Sequence, residues 1–536
     1  MKAKSGFTGI LFVLILMSFR LLSQDNPAWD DTTKKDWPSE CHEITVNSTS
    51  DHTEQKAMFY AGSDQSPAPL IVSLHTWSGD YTQKDPLALE CISKGFVYIH
   101  PDFRGANNKF DACGSSKVIQ DIDDAIAYAI HHARVDTTEI HIVGVSGGGY
   151  ATLLAYMNTI YPVKTFSAWV PISDLEAWFN ESEGRKNKYA RDIAICTTGR
   201  NFGSKGYYID KKEAHKRSPL FMQTPVEKRH KAKLFIYTGI HDGYTGSVPV
   251  TQSLKFYNKV VRDFDATETE AIVPESDMLT LVASQNYQSL TKGKLGKRLI
   301  QYRKSYKDLI QLTVFEGTHE MLTDVALNPT ESKNILAIGD SNGEFYFGWV
   351  TQLKTVRFED FIYNSCISGN TIGYNNLNRP ALNTLHNIDR YMDEAYAYSG
   401  KQDAIVIMLG TNDCKAVFTE NIKNVPDSMR TLIAKIKAHP VYRSSHPKLF
   451  IVSPPPMNPH PELHDKYLKG NDRIKYLNKE FKKVAKEEGC VYINTYPHLE
   501  GVFDYVTIDG IHLKPEGQMV IAKIISEALD DYFKTE

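Results

Sequence analysis

The chain has 536 residues, a length that predicts more than one domain. Hydrophobic residues make up 42% and charged residues 23%, as in folded globular proteins, so the composition excludes an intrinsically disordered chain. The net charge is −3 and no long basic block occurs, which argues against nucleic acid or an anionic membrane as a partner.

The first 24 residues have the pattern of a cleaved export signal. Lys2 and Lys4 precede an apolar run at residues 10–17 that is too short to span a bilayer, and the small polar residues Ser18 and Ser23 follow. We therefore expect residues 1–24 to be a signal peptide. The mature protein is then periplasmic or secreted, with no membrane attachment after cleavage. An uncleaved anchor is the alternative.

Residues 40–325 alternate short apolar runs with longer, partly helix-like segments. In residues 121–132, Ile122, Ile126 and Ile130 recur every four positions, which places them on one face of a helix. Continuous apolar runs of four to six residues are typical of strands buried on both faces, so we predict a parallel sheet covered by helices. Two shorter strand-like runs at 43–46 and 56–60 come first. The longer runs lie at 69–74, 96–100, 140–143, 166–170, 234–238 and 312–315.

A candidate nucleophile follows the run at 140–143. Residues 144–148 read Gly-Val-Ser-Gly-Gly, and a helix-like segment comes next. Strand, G-x-S-x-G and helix in this order indicate a nucleophile elbow, in which glycines allow a sharp turn and Ser146 stands at its tip.

An acid and a base are expected later in the chain, each at a strand end. Asp242 follows the run at 234–238, and His319 follows the run at 312–315. His319 would accept the Ser146 proton, and Asp242 would orient its imidazole. Asp174 also follows an apolar run and is a rival acid, although one of the two aspartates is expected to cap a helix.

The oxyanion hole of this site should combine two backbone N–H groups. One belongs to Gly147, and the other to Thr76 or Trp77 in the turn after the run at 69–74.

With these motifs, residues 40–325 resemble the α/β-hydrolase fold, in the branch of prolyl oligopeptidase-like esterases. The resemblance implies an esterase or a peptidase. Only residues 25–42 of the predicted mature chain precede the first predicted strand, which leaves no room there for the β-propeller of oligopeptidases and favours the esterase.

Two segments, 175–230 and 265–305, are too long for simple connections. They form either caps that shape the substrate pocket or solvated insertions. A polar linker at 326–333 follows and divides the chain into two domains.

From residue 334 the alternation of apolar runs and helical segments restarts. The runs at 335–338, 361–363, 404–409, 449–452 and 491–493 alternate with helix-like segments near 380–398, 426–438, 471–488 and 516–533. This pattern predicts a compact three-layer α/β/α domain over residues 334–536.

Four short motifs follow these runs in order. They are Gly-Asp-Ser at 339–341, Gly369, Gly-Thr-Asn-Asp at 410–413, and Asp509 with His512. Together they resemble the SGNH (GDSL) hydrolase family, whose fold is flavodoxin-like.

The SGNH resemblance assigns roles to these motif residues. It implies Ser341 as nucleophile, His512 as base and Asp509 as its orienting partner. Oxyanion donors would be the Ser341 and Gly369 N–H groups and the Asn412 amide. Asn342 stands where the family name has Leu, a variation that we expect not to affect the chemistry.

The cysteines allow two disulfides near the sites. Seven cysteines are too few for a disulfide scaffold in a chain of this length, but export permits disulfides. Cys113 could pair with Cys196, and we hypothesise that Cys366 pairs with Cys414 to brace the oxyanion loops. Small buried thiols are the alternative.

The sequence thus predicts a secreted bifunctional serine carboxylic-ester hydrolase with two independent acyl-serine sites, without cofactor or metal. The SGNH resemblance implies removal of O-acetyl groups from sugars, and hydroxycinnamoyl esters of polysaccharides are a related substrate class. The alternatives are a first domain that is a serine peptidase or a general carboxylesterase, and a domain that is a catalytically silent binding module.

Overall fold

The structure is a computed structural model that describes residues 35–63, 66–203, 206–287 and 293–535. The predicted signal peptide, residues 1–24, lies outside the described residues. The chain divides into two compact units between Thr330 and Glu331. Among the described helices, none combines the length and the apolar character that crossing a membrane requires.

The described residues of the first unit form a ten-stranded sheet of order β1-β2-β4-β3-β5-β6-β7-β10-β9-β8. The six strands from β4 to β10 in this order are parallel, and antiparallel strands extend both edges. The strands are β1 His42–Asn47, β2 Glu54–Tyr60, β3 Ala68–Leu74, β4 Val97–Pro101, β5 Val135–Val145, β6 Thr165–Trp169, β7 Lys233–Gly239, β8 Lys294–Leu295, β9 Arg298–Tyr306 and β10 Ile310–Phe315.

Helices cover this sheet. On the helix Ser116–His132 the side chains of Ile122 and Ile126 are fully buried in the core and Ile130 is partly buried, because the four-residue spacing turns them to one face. The helices are α1 Leu87–Lys94, α2 Ser116–His132, α3 Gly147–Asn158, α4 Leu175–Gly184, α5 Tyr189–Thr198, α6 Lys211–Arg217, α7 Val226–Arg229, α8 Thr251–Phe264 and α9 Glu275–Ser284.

The described residues of the second unit form a five-stranded parallel sheet of order β12-β11-β13-β14-β15. Alternate residues of β11 contribute to two hydrophobic clusters, one on each face, as expected of a sheet between two helical layers. The predicted fold class, an α/β-hydrolase fold followed by a three-layer α/β/α domain, is confirmed. The strands are β11 Asn334–Gly339, β12 Phe361–Asn364, β13 Ala404–Met408, β14 Lys448–Val452 and β15 Val491–Ile493.

The helices of this unit connect the strands and follow the last one. The chain passes from β12 on one side of β11 to β13 on the other, and crevices for ligands form at such a reversal beyond the carboxyl ends of the strands. The helices are α10 Ser341–Glu344, α11 Trp349–Val356, α12 Thr384–Ser399, α13 Val425–Ala438, α14 Pro440–Ser445, α15 Gly470–Glu488, α16 Tyr496–Glu500, α17 Phe503–Val506 and α18 Pro515–Thr535.

Candidate active sites

Ser146 occupies a strained turn between β5 and α3. Its φ of 58° is a backbone conformation that residues with a side chain rarely adopt, and its N–H donates to the Trp169 carbonyl at 2.9 Å. A Cβ atom at Gly144 would collide with the Gly148 carbonyl oxygen, and one at Gly148 with the Leu74 carbonyl oxygen. The glycines are therefore required for the turn that presents Ser146.

Ser146, His319 and Asp242 form a continuous chain of hydrogen bonds. His319 Nε2 lies 2.9 Å from Ser146 Oγ, and its Nδ1 lies 2.7 Å from Asp242 Oδ2. The other Asp242 oxygen accepts the N–H groups of Gly243 and Val248 at 2.9 and 3.0 Å. Because an ionised Asp242 can only accept, the imidazole proton lies on Nδ1, and Nε2 is left to take the serine proton.

The rival acid and a neighbouring histidine have structural partners instead. Asp174 is the N-cap of α4 and accepts the N–H of Ala177 at 3.0 Å. His241 lies 2.7 Å from Glu316 and 3.2 Å from Gln285. The structure thus brings Asp242, and not Asp174, to His319.

The turn after β3 shows which of the two candidate oxyanion donors, Thr76 or Trp77, has a free N–H group. Thr76 donates its N–H to Gln83 Oε1 at 2.9 Å and its hydroxyl to the same atom at 3.0 Å. Within the described residues we find no acceptor for the Trp77 N–H, and a Cβ at Gly147 would collide with the Trp77 backbone nitrogen. The Gly147 N–H, as the first in a helix, has no intrahelical acceptor. Trp77 and Gly147 therefore present the adjacent donors.

Helices α4 and α5 form a cap on this site. Trp178 packs edge-on against Trp77, with ring centroids 4.7 Å apart, and donates its indole N–H to the Ser247 carbonyl beside the acid turn. Trp77 donates its own indole N–H to Asp192 at 3.2 Å. The first part of the segment 175–230 is therefore a packed cap. The segment 265–305 instead contributes α9 and most of β9, which pairs with β10 and which the sequence pattern did not predict as a strand.

In the second unit, three of the motifs lie at the carboxyl ends of adjacent strands. Ser341 follows β11, Gly369 follows β12 and Asn412 follows β13. Gly369 has a φ of +87°, and its carbonyl accepts the side-chain amide of Asn376 at 2.6 Å. Glycine suits the Gly369 position because other residues are strained there.

Asp509 and His512 lie together in the turn between α17 and α18. His512 Nδ1 is 2.6 Å from Asp509 Oδ2, while Asp509 Oδ1 accepts the N–H groups of Ile511 and His512 at 3.0 and 2.8 Å. Burial alone would raise the pKa of Asp509, but these hydrogen bonds outweigh it and lower that pKa. Asp509 is thus held ionised and orients the imidazole.

The second site differs from the first in one contact. Among the described residues, the hydrogen bonds do not include one between Ser341 Oγ and a nitrogen of His512, whereas Ser146 and His319 are bonded directly. The ring of Phe345 lies 5.2 Å from that of His512 and borders the nucleophile turn. A direct Ser341–His512 bond would have to form with substrate, since such bonds often tighten only in the substrate complex.

Side chains that the sequence did not indicate hold the second oxyanion hole. Tyr467 donates its hydroxyl to Asn412 Oδ1 at 3.3 Å, so the amide oxygen is engaged and the Asn412 NH₂ group remains as the donor. Lys415 donates to Asn376 Oδ1 at 3.1 Å, and Asn376 holds the Gly369 carbonyl. Because these partners are distant in sequence, no local motif could have revealed them.

Buried ionisable groups lie beside this oxyanion hole. Asp413 is fully buried, and burial raises its pKa to about 7 although it accepts the N–H of Ile372 at 3.1 Å. Burial also lowers the pKa of Lys415 to about 8, and the nearby charge of Lys466 adds to this. Strongly shifted groups of this kind are enriched at functional sites.

The hypothesis of two disulfides is wrong for this structure, because all seven cysteines are free thiols. Cys366 belongs to the hydrophobic cluster on one face of the second sheet and Cys414 to the cluster on the opposite face, so the sheet separates them. Cys196 donates its thiol to the Asn107 carbonyl at 3.3 Å, and Cys113 packs in the same buried cluster. The cysteines behave as small buried side chains.

Two family models match the chain. Residues 85–276 match the prolyl oligopeptidase family, and residues 336–520 match the GDSL-like lipase/acylhydrolase family. Both resemblances seen in the sequence are confirmed, and the chain is a hydrolase with a GDSL esterase domain. No curated protein sequence matches the chain.

Several solved structures are similar to parts of the chain. A carbohydrate acetylesterase from Sinorhizobium meliloti is 21% identical, and the match covers 38% of this chain and 100% of that chain, with a TM-score of 0.31. The aryl esterase of M. smegmatis is 21% identical over 37% of this chain and 99% of that chain, with a TM-score of 0.32. The acylaminoacyl peptidase of Pyrococcus horikoshii is 21% identical over 42% of this chain and 35% of that chain, with a TM-score of 0.33.

Proposed function

We propose that the protein is an exported bifunctional serine esterase that removes O-acetyl or hydroxycinnamoyl groups from polysaccharides or oligosaccharides at two independent sites. The observation that carries the proposal is the Ser146–His319–Asp242 hydrogen-bond chain, at 2.9 and 2.7 Å, together with the Asp509–His512 pair at 2.6 Å in the other unit. Both units thus hold an oriented histidine base and a serine at a strand end.

At the first site, His319 takes the proton of Ser146 as Oγ attacks the ester carbonyl carbon. The carbonyl oxygen becomes negative and accepts the N–H groups of Trp77 and Gly147. Asp242 stabilises the imidazolium, which then protonates the departing alcohol. A water molecule, activated by His319, cleaves the acyl-serine and regenerates Ser146.

At the second site, Ser341 and His512 perform the same two steps, with Asp509 as the orienting carboxylate. The oxyanion of the tetrahedral intermediate accepts hydrogen bonds from the Ser341 and Gly369 N–H groups and from the Asn412 side-chain amide. The two sites differ in one contact: Ser146 is hydrogen-bonded to His319, whereas the described residues include no such bond between Ser341 and His512.

The surroundings of the second site support a carbohydrate substrate. Tyr346 follows the nucleophile helix α10 and is 87% exposed, and Tyr505 in α17, just before the Asp509 turn, is 81% exposed. Exposed aromatic rings offer apolar faces on which sugar rings can stack. A cavity of about 300 Å³ lies against the Asp509 loop, with Asn458, Tyr467 and Asn471 among its lining residues. Such a mixture of aromatic and amide groups suits a polyhydroxylated ligand.

A peptidase activity of the first unit is the second candidate, and the prolyl oligopeptidase match favours it. The same triad cleaves amides as well as esters. A general carboxylesterase differs from both in accepting simple alcohol esters without a sugar. Export rests on residues 1–24 and is tested by sequencing the N-terminus of the protein recovered from the medium or periplasm.

The proposed function is tested with Ser146→Ala, Ser341→Ala and the double variant. Substrates are p-nitrophenyl acetate, acetylated and feruloylated oligosaccharides, and an N-acylated peptide. Ser93→Ala and Ser444→Ala, on the exposed faces of the first and second units, are the matched controls. We expect each single variant to lose a distinct part of the sugar-ester activity, the double variant to lose all of it, and the controls to lose none.

Other outcomes identify the alternatives. Peptide cleavage that disappears with Ser146→Ala, without sugar-ester cleavage by that site, makes the first unit a peptidase. A single variant that retains the full wild-type rate on every substrate makes that unit catalytically silent. Cleavage of p-nitrophenyl acetate without any sugar ester contradicts the carbohydrate assignment.

A further inference from the structure

Asn342 follows the nucleophile Ser341 and has a fully buried side chain that contacts the base loop. Its Oδ1 accepts the N–H of Leu513 at 2.9 Å and the side-chain amide of Gln518 at 2.9 Å. Its Nδ2 donates to the Ile511 carbonyl at 3.3 Å. The amide of Asn342 therefore pairs with the backbone on both sides of His512.

The other end of Asn342 is fixed to the nucleophile turn. Its backbone N–H donates to Asp340 Oδ1 at 3.0 Å, so the residue begins in the same turn that presents Ser341. Since the described residues include no hydrogen bond between Ser341 and His512, the Asn342 side chain is a direct polar link between the nucleophile turn and the base loop. The sequence assigned this position no role.

The remaining hydrogen bonds of His512 do not replace this link, and its ring contact with Phe345 of the nucleophile turn is not a polar one. Its N–H donates to Asp509, and its carbonyl accepts from the Ile508 N–H and the Thr507 hydroxyl. All three partners belong to the base loop itself, so they shape that loop without fixing its distance from Ser341. Loss of the Asn342 amide would also leave the Leu513 N–H buried without its acceptor, a costly state.

We propose that Asn342 is a positioning residue that sets the distance and angle between the His512 imidazole and Ser341 Oγ. It acts through the base loop and does not touch the substrate. The inference rests on the proposed function of the second site, in which His512 accepts the Ser341 proton. A shift of about 1 Å at such a contact costs about 100-fold in rate, because proton transfer needs aligned partners.

The test uses the full-length chain with Ser146→Ala, so that p-nitrophenyl acetate reports only the second site. Asn342→Leu keeps the approximate size of the side chain and removes the amide. Gln402→Leu is the matched control: Gln402 is also a fully buried amide, bonded to the Ala395 and Gly400 carbonyls, but it precedes β13 at the end of the sheet away from the site. We expect Asn342→Leu to lower kcat about 10- to 100-fold with KM within about twofold, while Gln402→Leu keeps kcat.

The pH profile separates positioning from a general loss of stability. In the parent, kcat should rise with pH and level off once the base is deprotonated; with Asn342→Leu it should keep rising, because hydroxide replaces a base that no longer reaches Ser341. A variant that is merely less stable keeps the plateau. Gln518→Leu removes one of the two bonds to Asn342 Oδ1 and should give an intermediate kcat, which tests the link even where Asn342→Leu does not fold.

The failure of this inference and that of the proposed function are distinguishable. Ser341→Ala in the same background should abolish the activity; if it does not, the second site is not the esterase that we propose. If Ser341→Ala abolishes activity but Asn342→Leu keeps the parental kcat and plateau, Asn342 is not a positioning residue. If Asn342→Leu does not fold and Gln518→Leu keeps the parental kcat, the inference that Asn342 is a positioning residue is likewise overturned.

Discussion

The variant Asp242→Asn tests whether Asp242 is the acid of the first site. One Asp242 oxygen accepts two backbone N–H groups, from Gly243 and Val248, and the other accepts from His319. An asparagine has a single carbonyl oxygen, and the two backbone donors bind it. Its NH₂ group must then face His319 Nδ1, which becomes an acceptor and forces the imidazole proton onto Nε2.

With its proton on Nε2, His319 can no longer accept the proton of Ser146. The same change in the serine-protease triad lowers kcat about 10⁴-fold, equivalent to about 5 kcal/mol of transition-state stabilisation. We expect a loss of this order. Stability should fall by only about 1 kcal/mol, because the two backbone donors keep their acceptor.

The assay is steady-state hydrolysis of p-nitrophenyl acetate in a Ser341→Ala background, with thermal unfolding measured in parallel. Asp174→Ala is the control: it removes the N-cap of α4 and should cost about 1 kcal/mol of stability without lowering kcat. If Asp242→Asn keeps more than a tenth of kcat, or Asp174→Ala loses as much as Asp242→Asn, our identification of the acid is refuted.

Three further predictions concern the second unit. Asn412→Ala should lower its kcat about 10²- to 10³-fold, measured in the Ser146→Ala background, because one oxyanion donor is lost; an unchanged kcat contradicts that role. Burial raises the pKa of Asp413 to about 7, above about 4 in the unfolded chain. Protonated Asp413 therefore stabilises the fold fully below about pH 4, and this contribution to the free energy of unfolding is lost as the pH rises through about 7. In urea unfolding across that range, the free energy of unfolding of Asp413→Asn should not show this decline. Residues 331–536 expressed alone should unfold cooperatively and keep the second-site kcat, since they form a separate compact unit; an aggregated or inactive product would contradict this.

Central strands and motif residues could be predicted because their signals are local. The run at 335–338 is continuous and apolar since β11 is buried on both faces, and Ser341 follows it directly. The strand β9 was not predicted because its charged residues, such as Arg303 and Lys304, interrupt the apolar pattern.

The contacts that complete each site could not be predicted, because they join residues far apart in sequence. Gln83 accepts a hydrogen bond from the Thr76 N–H, which leaves the Trp77 N–H as the oxyanion donor. Asn342 gains its role from a loop near the end of the chain. Neither contact leaves a local pattern of composition or spacing, and only the folded backbone brings the partners together.

The order of the catalytic residues has a consequence for the order in which the two units fold. His319 completes the first catalytic set just before β11 begins the second unit, so no strand of one sheet lies between strands of the other in the chain. Whether the chain emerges from a ribosome or from an export channel, the whole first unit comes out before the second sheet, and domains generally fold as units in this N-to-C order. The strands of the first, mixed sheet can therefore pair with one another before the similar apolar runs of the second, parallel sheet are present.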